Sequence, residues 1–179
     1  MKVRIIHLLT FLYISFNYAQ TKNVKLSNQR IESFNSEQGF YQNTVNAIIS
    51  DSKGYLWIAT PNGLVRYDGY SFEYYYHNFE NQESLPNNYI SHLLNDSKGR
   101  VWIGTRGGLC VYLTDKEQFI PLKNSIKKGD FIKEDSRNRV WVGNNNKLEI
   151  YDSVDNDLEK VDKIAEINLE RALRGNAII

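Results

Sequence analysis

The chain has 179 residues and a formal net charge of +1, from 22 Lys and Arg against 21 Asp and Glu. This length favours a single domain with a sizeable core, and the absence of a basic block argues against nucleic acid or an anionic membrane as partner. Aromatic residues make up 13% of the chain, which suits β-strands better than helices.

Residues 1–19 have the pattern of a secretory signal peptide. Lys2 and Arg4 form a positive n-region, and an apolar run follows from Ile5 to Phe16. As a helix this run would span about 18 Å, short of the roughly 30 Å hydrocarbon core of a bilayer. We predict cleavage after Ala19, with an uncleaved signal anchor as the alternative, and therefore a periplasmic or secreted protein.

A phrase with the same pattern occurs three times further along the chain. Its copies are DSKGYLWIATPNGL from Asp51, DSKGRVWIGTRGGL from Asp96 and DSRNRVWVGNNNKL from Asp135. Asp at the first position and Gly at the fourth predict a type I turn followed by a left-handed residue, and therefore a β-hairpin. The third copy has Asn138 in place of Gly, and Asn is the next residue to tolerate this backbone.

Each copy continues with a second turn, a short strand that ends in Tyr, a third turn and a fourth strand. The fourth strands are predicted around Phe72, Phe119 and Leu158. Four short antiparallel strands in roughly 40 residues form one blade of a β-propeller. The sequence therefore predicts an all-β fold of three four-stranded antiparallel blades, an incomplete propeller.

The predicted organisation follows from these blades. The ranges are 1–19 for the signal peptide, 20–40 for an N-terminal segment with an outer strand around Arg30–Phe34, 41–83 for blade 1, 84–125 for blade 2, 126–162 for blade 3, and 163–179 for an unassigned tail. The tail is either the start of a fourth blade or a short helix. Since closed propellers need about four to eight blades, three blades would expose apolar faces at both ends.

Nine residues of the phrase are predicted to have structural roles. The aspartates lie in different blades, so they cap turns rather than form an acid–base pair. The tryptophans occupy one equivalent position, where a large flat side chain packs blade against blade. The nine are Asp51, Gly54, Trp57, Asp96, Gly99, Trp102, Asp135, Asn138 and Trp141.

The first two copies, NTVNAIISDSKGYLWIATPNGLVRYDGYSFEYY and NNYISHLLNDSKGRVWIGTRGGLCVYLTDKEQF, resemble the two-component regulator propeller repeat. The resemblance extends over residues 41–162, and the third copy departs from the pattern at Asn138, Asn144 and Lys147. It implies the periplasmic part of a hybrid sensor histidine kinase, in which a membrane helix, kinase, receiver and DNA-binding region follow. Many such sensors respond to oligosaccharides. The chain is thus expected to be an N-terminal fragment that stops inside a propeller.

A ligand is expected on one face of the propeller. The second turns and the connections between blades share that face because the strands of a blade alternate in direction. Amides, tyrosines and an arginine suit sugar hydroxyls or a carboxylated sugar, although such residues also form turns for backbone reasons. The candidates are Tyr76, His77, Asn78, Asn88, Tyr89, Arg106, Asn144 and Asn145.

The sequence supports no cofactor, metal site or catalytic residue in this chain. Cys110 is the only cysteine, and His77 and His92 lack zinc-ligand spacing. No nucleophile elbow, P-loop or dinucleotide-binding motif occurs. An enzyme of lyase or hydrolase type is an alternative, with His77 and Arg106 as its candidate pair.

Two hypotheses concern the function of the whole protein. The leading hypothesis is an extracytoplasmic ligand-sensing segment of a two-component sensor, with further propeller blades in the same or another chain as partners. The alternative is a free-standing periplasmic binding or scaffold protein whose blades pair across subunits. That alternative predicts a discrete oligomer, and a monodisperse monomer would contradict it.

Overall fold

The computed structural model of the chain describes residues 33–153 and 160–169. The predicted signal peptide and most of the predicted outer strand at Arg30–Phe34 lie outside these residues. A short 3-10 helix, Ser36–Gln38, precedes the first blade and is capped by the Asn35 side chain. In the described part of the chain, no helix is long and apolar enough to cross a membrane.

Twelve strands in the described residues form three four-stranded sheets. Blade 1 contains β1 (Ala47–Ser50), β2 (Leu56–Thr60), β3 (Gly63–Tyr67) and β4 (Phe72–Tyr75). Blade 2 contains β5 (Ile90–Asn95), β6 (Arg100–Thr105), β7 (Gly108–Leu113) and β8 (Gln118–Pro121). Blade 3 contains β9 (Phe131–Glu134), β10 (Val140–Gly143), β11 (Lys147–Ser153) and β12 (Val161–Asn168).

In every sheet the strands are antiparallel and neighbours in space follow the order of the sequence. The sheets do not close into a ring within the described residues. This arrangement confirms the predicted fold class, an all-β incomplete propeller of three antiparallel blades.

The third blade ends later than predicted. Strand β12 pairs with β11 from Ser153 opposite Val161 to Lys147 opposite Asn168. The predicted end at residue 162 therefore falls inside a strand, and residues 163–168 belong to blade 3 rather than to a fourth blade or a helix. The strand predicted around Leu158 falls outside the described residues. Strand β12 begins eight residues after Ser153, whereas β4 begins five residues after Tyr67 and β8 five residues after Leu113.

One carboxylate in each blade organises the hairpin that opens the blade. In blade 2, Asp96 Oδ1 accepts the backbone N–H groups of Lys98 (3.0 Å) and Arg100 (2.9 Å). Asp96 Oδ2 accepts the indole N–H of Trp102 at 2.8 Å. The Trp follows the Asp by six residues, and at this separation the Asp carboxylate reaches both the turn and the indole.

The other two blades repeat this arrangement. Asp51 accepts the N–H groups of Lys53 and Tyr55 and the indole of Trp57, and Asp135 accepts those of Arg137, Arg139 and Trp141, all between 2.8 and 3.0 Å. The fourth turn residue is left-handed in each blade, with φ of 87° at Gly54, 78° at Gly99 and 61° at Asn138.

The tryptophans connect one blade to the next. Trp57 is fully buried, and its ring lies 4.7 Å from that of Tyr112 in blade 2. Trp102 is also fully buried, and its ring lies 5.7 Å from that of Tyr151 in blade 3. The apolar core is therefore two layers, one between blades 1 and 2 and one between blades 2 and 3. Trp141 is partly exposed, since no further sheet covers it among the described residues.

Replacing Asp96 by Ala is expected to destabilise the chain strongly. The substitution leaves the Arg100 guanidinium, whose side chain is 3% exposed, without the carboxylate that binds it at 2.7 Å. Breaking a buried pair in this way costs about 3–5 kcal/mol of unfolding free energy. Asp135→Ala should cost less, because the Asp135–Arg139 pair is 24% and 26% exposed.

Urea denaturation followed by circular dichroism measures these differences. Asp68→Ala is the control, since Asp68 caps an exposed turn through the N–H groups of Tyr70 and Ser71. An Asp96→Ala midpoint no lower than that of the Asp68 control would contradict the buried-pair account.

The partial exposure of Trp141 predicts selective quenching of its fluorescence. Acrylamide should quench the purified chain in part, and Trp141→Phe should remove most of the quenchable emission, whereas Trp57→Phe should retain it. Emission from Trp141 that acrylamide cannot reach would show that another blade or a second copy covers this face.

Candidate functional site

The second turns of the blades and the connections between blades meet at one end of the three sheets. We call this end the upper face. It comprises the turns 61–62, 106–107 and 144–146 and the connections 76–89 and 122–130. Backbone hydrogen bonds join them, from Gly63 to Asn88 (2.7 Å), Arg106 to Tyr89 (3.2 Å), Lys128 to Thr105 (3.3 Å) and Asp130 to Gly143 (2.7 Å). The upper face is therefore a continuous surface across the blades.

The amides of the connection 76–89 are engaged in holding the connection itself. Asn88 Oδ1 accepts the backbone N–H of His77 at 2.6 Å. Asn78 Oδ1 accepts the N–H of Glu80 at 2.9 Å, and the Asn78 N–H donates to Ser84 Oγ at the same distance. Asn78 and Asn88 therefore stabilise the backbone of the connection, which was the alternative to ligand binding for these residues.

Tyr76 is presented on the surface by the strand that precedes it. Its ring is stacked parallel to that of Tyr74 at 6.3 Å, with an interplanar angle of 10°, and 47% of the residue is exposed. The ring also covers Gly63, where φ is 118° and an added Cβ would lie 2.9 Å from the Tyr76 ring. Glycine is thus required at the turn for the tyrosine to occupy this position.

Arg106 and Tyr89 form a pair between the blade 2 turn and the connection before it. The Arg106 guanidinium lies 3.7 Å above the centre of the Tyr89 ring, which is within the range of a cation–π contact. Arg106 itself is exposed. The contact with the ring restricts the orientation of the planar guanidinium and leaves the residue exposed on the upper face.

Asn144 and Asn145 belong to a second cluster, in blade 3. They line an open depression of about 220 Å³, which we call the blade 3 depression. Its lining residues are Lys127, Lys128, Asp130, Asn144, Asn145 and Asn146. Asn144 Oδ1 accepts the N–H groups of Asn146 and Lys147, both at 3.0 Å, so this amide also forms its own turn.

The predicted site residues did not include Lys127, Lys128 and Asp130. They follow the buried Ile126 in the connection between blades 2 and 3, the same kind of segment that supplied Tyr76 to Tyr89. The run KKGD, two lysines and an aspartate around a glycine on the predicted binding face, was the signal that could have identified them.

Four hydrogen bonds fix residues 125–130, the part of the connection that carries the lysines. They tie it to blade 2 and to blade 3, so the connection cannot move independently of either. The bonds are Leu109 N–H to Ser125 Oγ (2.8 Å), Ile126 N–H to Glu149 Oε2 (2.7 Å), Lys128 N–H to Thr105 O (3.3 Å) and Asp130 N–H to Gly143 O (2.7 Å).

Glu149 is a buried carboxylate beneath this connection, at the position held by Val65 and Cys110 in the other blades. Besides the Ile126 N–H, it accepts the Tyr151 hydroxyl at 2.6 Å and the ammonium groups of Lys147 and Lys163 at 3.0 Å. Burial alone would raise the pKa of Glu149, but these hydrogen bonds outweigh burial and lower the pKa below its usual range. Glu149 is therefore ionised and anchors the connection.

His77 and Arg106, the candidate catalytic pair, contact different residues. His77 Nδ1 lies 2.5 Å from the Leu85 carbonyl oxygen, and its ring packs edge-on against Phe79. Arg106 lies over Tyr89 instead. Among the described residues, no group of three or more His, Cys, Asp or Glu side chains could hold a metal ion.

The fold and the upper face define a segment of a β-propeller. Residues 42–62 and 84–107 match the family model described as two component regulator propeller. The two matched ranges contain the first hairpin of blade 1 and the first hairpin of blade 2. No curated protein matches the sequence.

Solved structures from B. thetaiotaomicron are similar to the chain. One is the extracellular domain assigned to the hybrid two component system BT3049, at 29% identity over 66% of this chain and 17% of that one, with a TM-score of 0.53. Another is the extracellular domain assigned to the one component system BT4673, at 24% identity over 62% of this chain and 16% of that one, with a TM-score of 0.52. The second likeness concerns the fold alone. The chain thus spans 17% and 16% of the length of these two domains.

The lowered pKa of Glu149 predicts a pH-dependent contribution to stability. A group whose pKa is lowered by folding stabilises the native state above its unfolded pKa of about 4.3, and this stabilisation is lost as the pH falls through the folded value. Glu149→Gln should therefore lower the unfolding free energy at neutral pH and reduce its decline below about pH 4.5.

Urea denaturation across the acidic range tests this expectation. Glu83→Gln, in the exposed connection 76–89, is the matched control and should preserve the wild-type pH profile. An unchanged acid slope in Glu149→Gln would show that the buried carboxylate does not stabilise the fold through its charge.

Proposed function

We propose that the chain is a segment of an extracytoplasmic sensor propeller of a two-component system, exported through residues 1–19, and that its upper face binds an oligosaccharide. The observation that carries this proposal is the 29% identity with the extracellular domain of the hybrid two component system BT3049. The match to the two-component regulator propeller model supports it independently.

The chemistry of the upper face suits a sugar. Tyr76 offers an exposed aromatic face, and sugar rings stack on such faces through their C–H groups. Arg106 offers oriented donors for hydroxyl or carboxylate oxygens. Asn145 and Asn146 are exposed beside the blade 3 depression. A rigid scaffold that presents polar loops in this way is typical of binding sites.

No reaction is assigned to the chain in this proposal. In a full-length relative, a histidine kinase domain would carry out the chemistry, and ligand binding would bias it through the propeller. Such a bias requires the ligand to bind one of two states more tightly than the other. The further propeller blades that complete the ring are the partners expected for this segment.

A free-standing binding or scaffold protein remains the second candidate, because both end faces carry exposed apolar side chains. Ile48 is 57% and Leu56 39% exposed on blade 1, and Ile167 is 38% exposed on blade 3. Surfaces of this kind associate with other apolar surfaces. A discrete oligomer of the purified chain in sedimentation analysis supports this candidate, and a monodisperse monomer contradicts it.

Arg106→Ala tests the upper face as the ligand site. On an array of neutral and acidic oligosaccharides the purified chain should bind at least one series. Removing the guanidinium should weaken that binding about 10- to 100-fold, since hydrogen bonds to charged groups contribute about 1.5–3 kcal/mol. Lys53→Ala, in the hairpin turn at the opposite end of blade 1, should leave it unchanged. Equal binding by Arg106→Ala and wild type would place the ligand elsewhere.

A further inference from the structure

We propose that the blade 3 depression is an anionic subsite, in which Lys127 and Lys128 bind the carboxylate of a uronic acid unit within a longer oligosaccharide. This inference rests on the proposed binding of an oligosaccharide by the upper face and narrows the class of that ligand. It concerns residues that lie outside the Arg106–Tyr89 pair.

Lys127 and Lys128 are adjacent in the chain and both are exposed. Several lysines elsewhere are in ion pairs: Lys53 with Asp115, Lys98 with Asp152, and Lys147 and Lys163 with Glu149 and Glu166. Among the described residues, no carboxylate lies within ion-pair distance of Lys127 or Lys128. Two adjacent exposed ammonium groups without a protein counter-charge are suited to an anion from solution.

The backbone that carries the two lysines is held in place. The four hydrogen bonds of the connection fix its backbone to blades 2 and 3. Lys128 has φ of 55°, a left-handed conformation that is uncommon for residues other than Gly, Asn and Asp. The next residue, Gly129, is buried, and an added Cβ would lie 3.2 Å from Val142 Cγ1. A backbone already ordered before binding loses less entropy when a ligand is bound.

The other residues that line the depression are polar. Asp130 can accept hydrogen bonds from sugar hydroxyls, and the exposed Asn145 and Asn146 can donate and accept them. The Asp130 carboxylate disfavours a dense polyanion such as nucleic acid, because it would repel closely spaced phosphates. A single carboxylate on a hydroxylated ring matches this mixture of groups.

The size and position of the depression agree with one unit of a longer ligand. Its volume of about 220 Å³ is below the roughly 300–1,000 Å³ of pockets that enclose drug-sized molecules. The backbone N–H of Lys128 binds the carbonyl of Thr105, the residue before Arg106. A chain of sugars that leaves the depression can therefore continue along the upper face to Arg106.

Paired ligands test the inference. Oligomers of galacturonic, glucuronic and mannuronic acid and their methyl esters, which have the same rings without the charge, are titrated calorimetrically into the purified chain. We expect at least one acidic series to bind about tenfold or more tightly than its ester. This preference should weaken as sodium chloride is raised from about 0.05 M to about 0.5 M.

The variant Lys127→Gln/Lys128→Gln should abolish the preference for the acid over the ester. Lys53→Gln/Lys116→Gln removes the same charge from the opposite face and should retain the preference. Tryptophan emission spectra establish that both variants keep the blade interfaces.

The outcomes separate the two proposals. Esters bound as tightly as acids, or a preference that survives in Lys127→Gln/Lys128→Gln, would overturn the anionic subsite and leave oligosaccharide binding standing. Failure of every acidic and neutral oligosaccharide to bind, on the array and in titration, would overturn both.

Discussion

The structure depends on the carboxylate that ties a hairpin turn to a tryptophan in each blade. The Asp side chain uses one oxygen for two backbone N–H groups and the other for the indole, so it fixes the turn and the rotamer of the Trp together. The Trp can then pack against the Tyr of the following blade, as Trp57 packs against Tyr112. Because the same bonds occur in all three blades, local hairpin geometry and blade-to-blade packing have a single origin.

This division leaves the opposite end of the blades available for binding. The hairpin turns at the other end contain the capping aspartates Asp51, Asp96 and Asp135. The turns and connections of the upper face are held by backbone hydrogen bonds between blades. Side chains such as Tyr76, Arg106 and Lys127 can therefore vary without disturbing the core. The two end blades carry apolar faces. Ile48 on blade 1 is exposed and Trp141 on blade 3 is partly exposed, so each can pack against another apolar surface.

Turn chemistry made much of the fold predictable. Asp and Gly at fixed positions specify a hairpin because few residues satisfy those backbone angles, and Asn138 follows the same rule with φ of 61°. The end of blade 3 was predicted wrongly because β12 begins eight residues after β11 ends, against five residues between the corresponding strands of blades 1 and 2. The candidate site was predicted only in part: residue types indicated a polar face, but Asn78 and Asn88 could not be distinguished as backbone supports until their partners were known.

The sequence by itself determined the class of fold, the number of described blades and the resemblance to the propeller repeat, because these depend on short-range backbone preferences that occur three times in the chain. Tertiary structure decided which polar residues stabilise turns and which are exposed on the upper face. The connection that carries Lys127 and Lys128 is anchored by Glu149, a residue about twenty positions further along the chain. Contacts over such distances depend on how blades pack, and no local pattern of residues encodes which backbone N–H a buried carboxylate will accept.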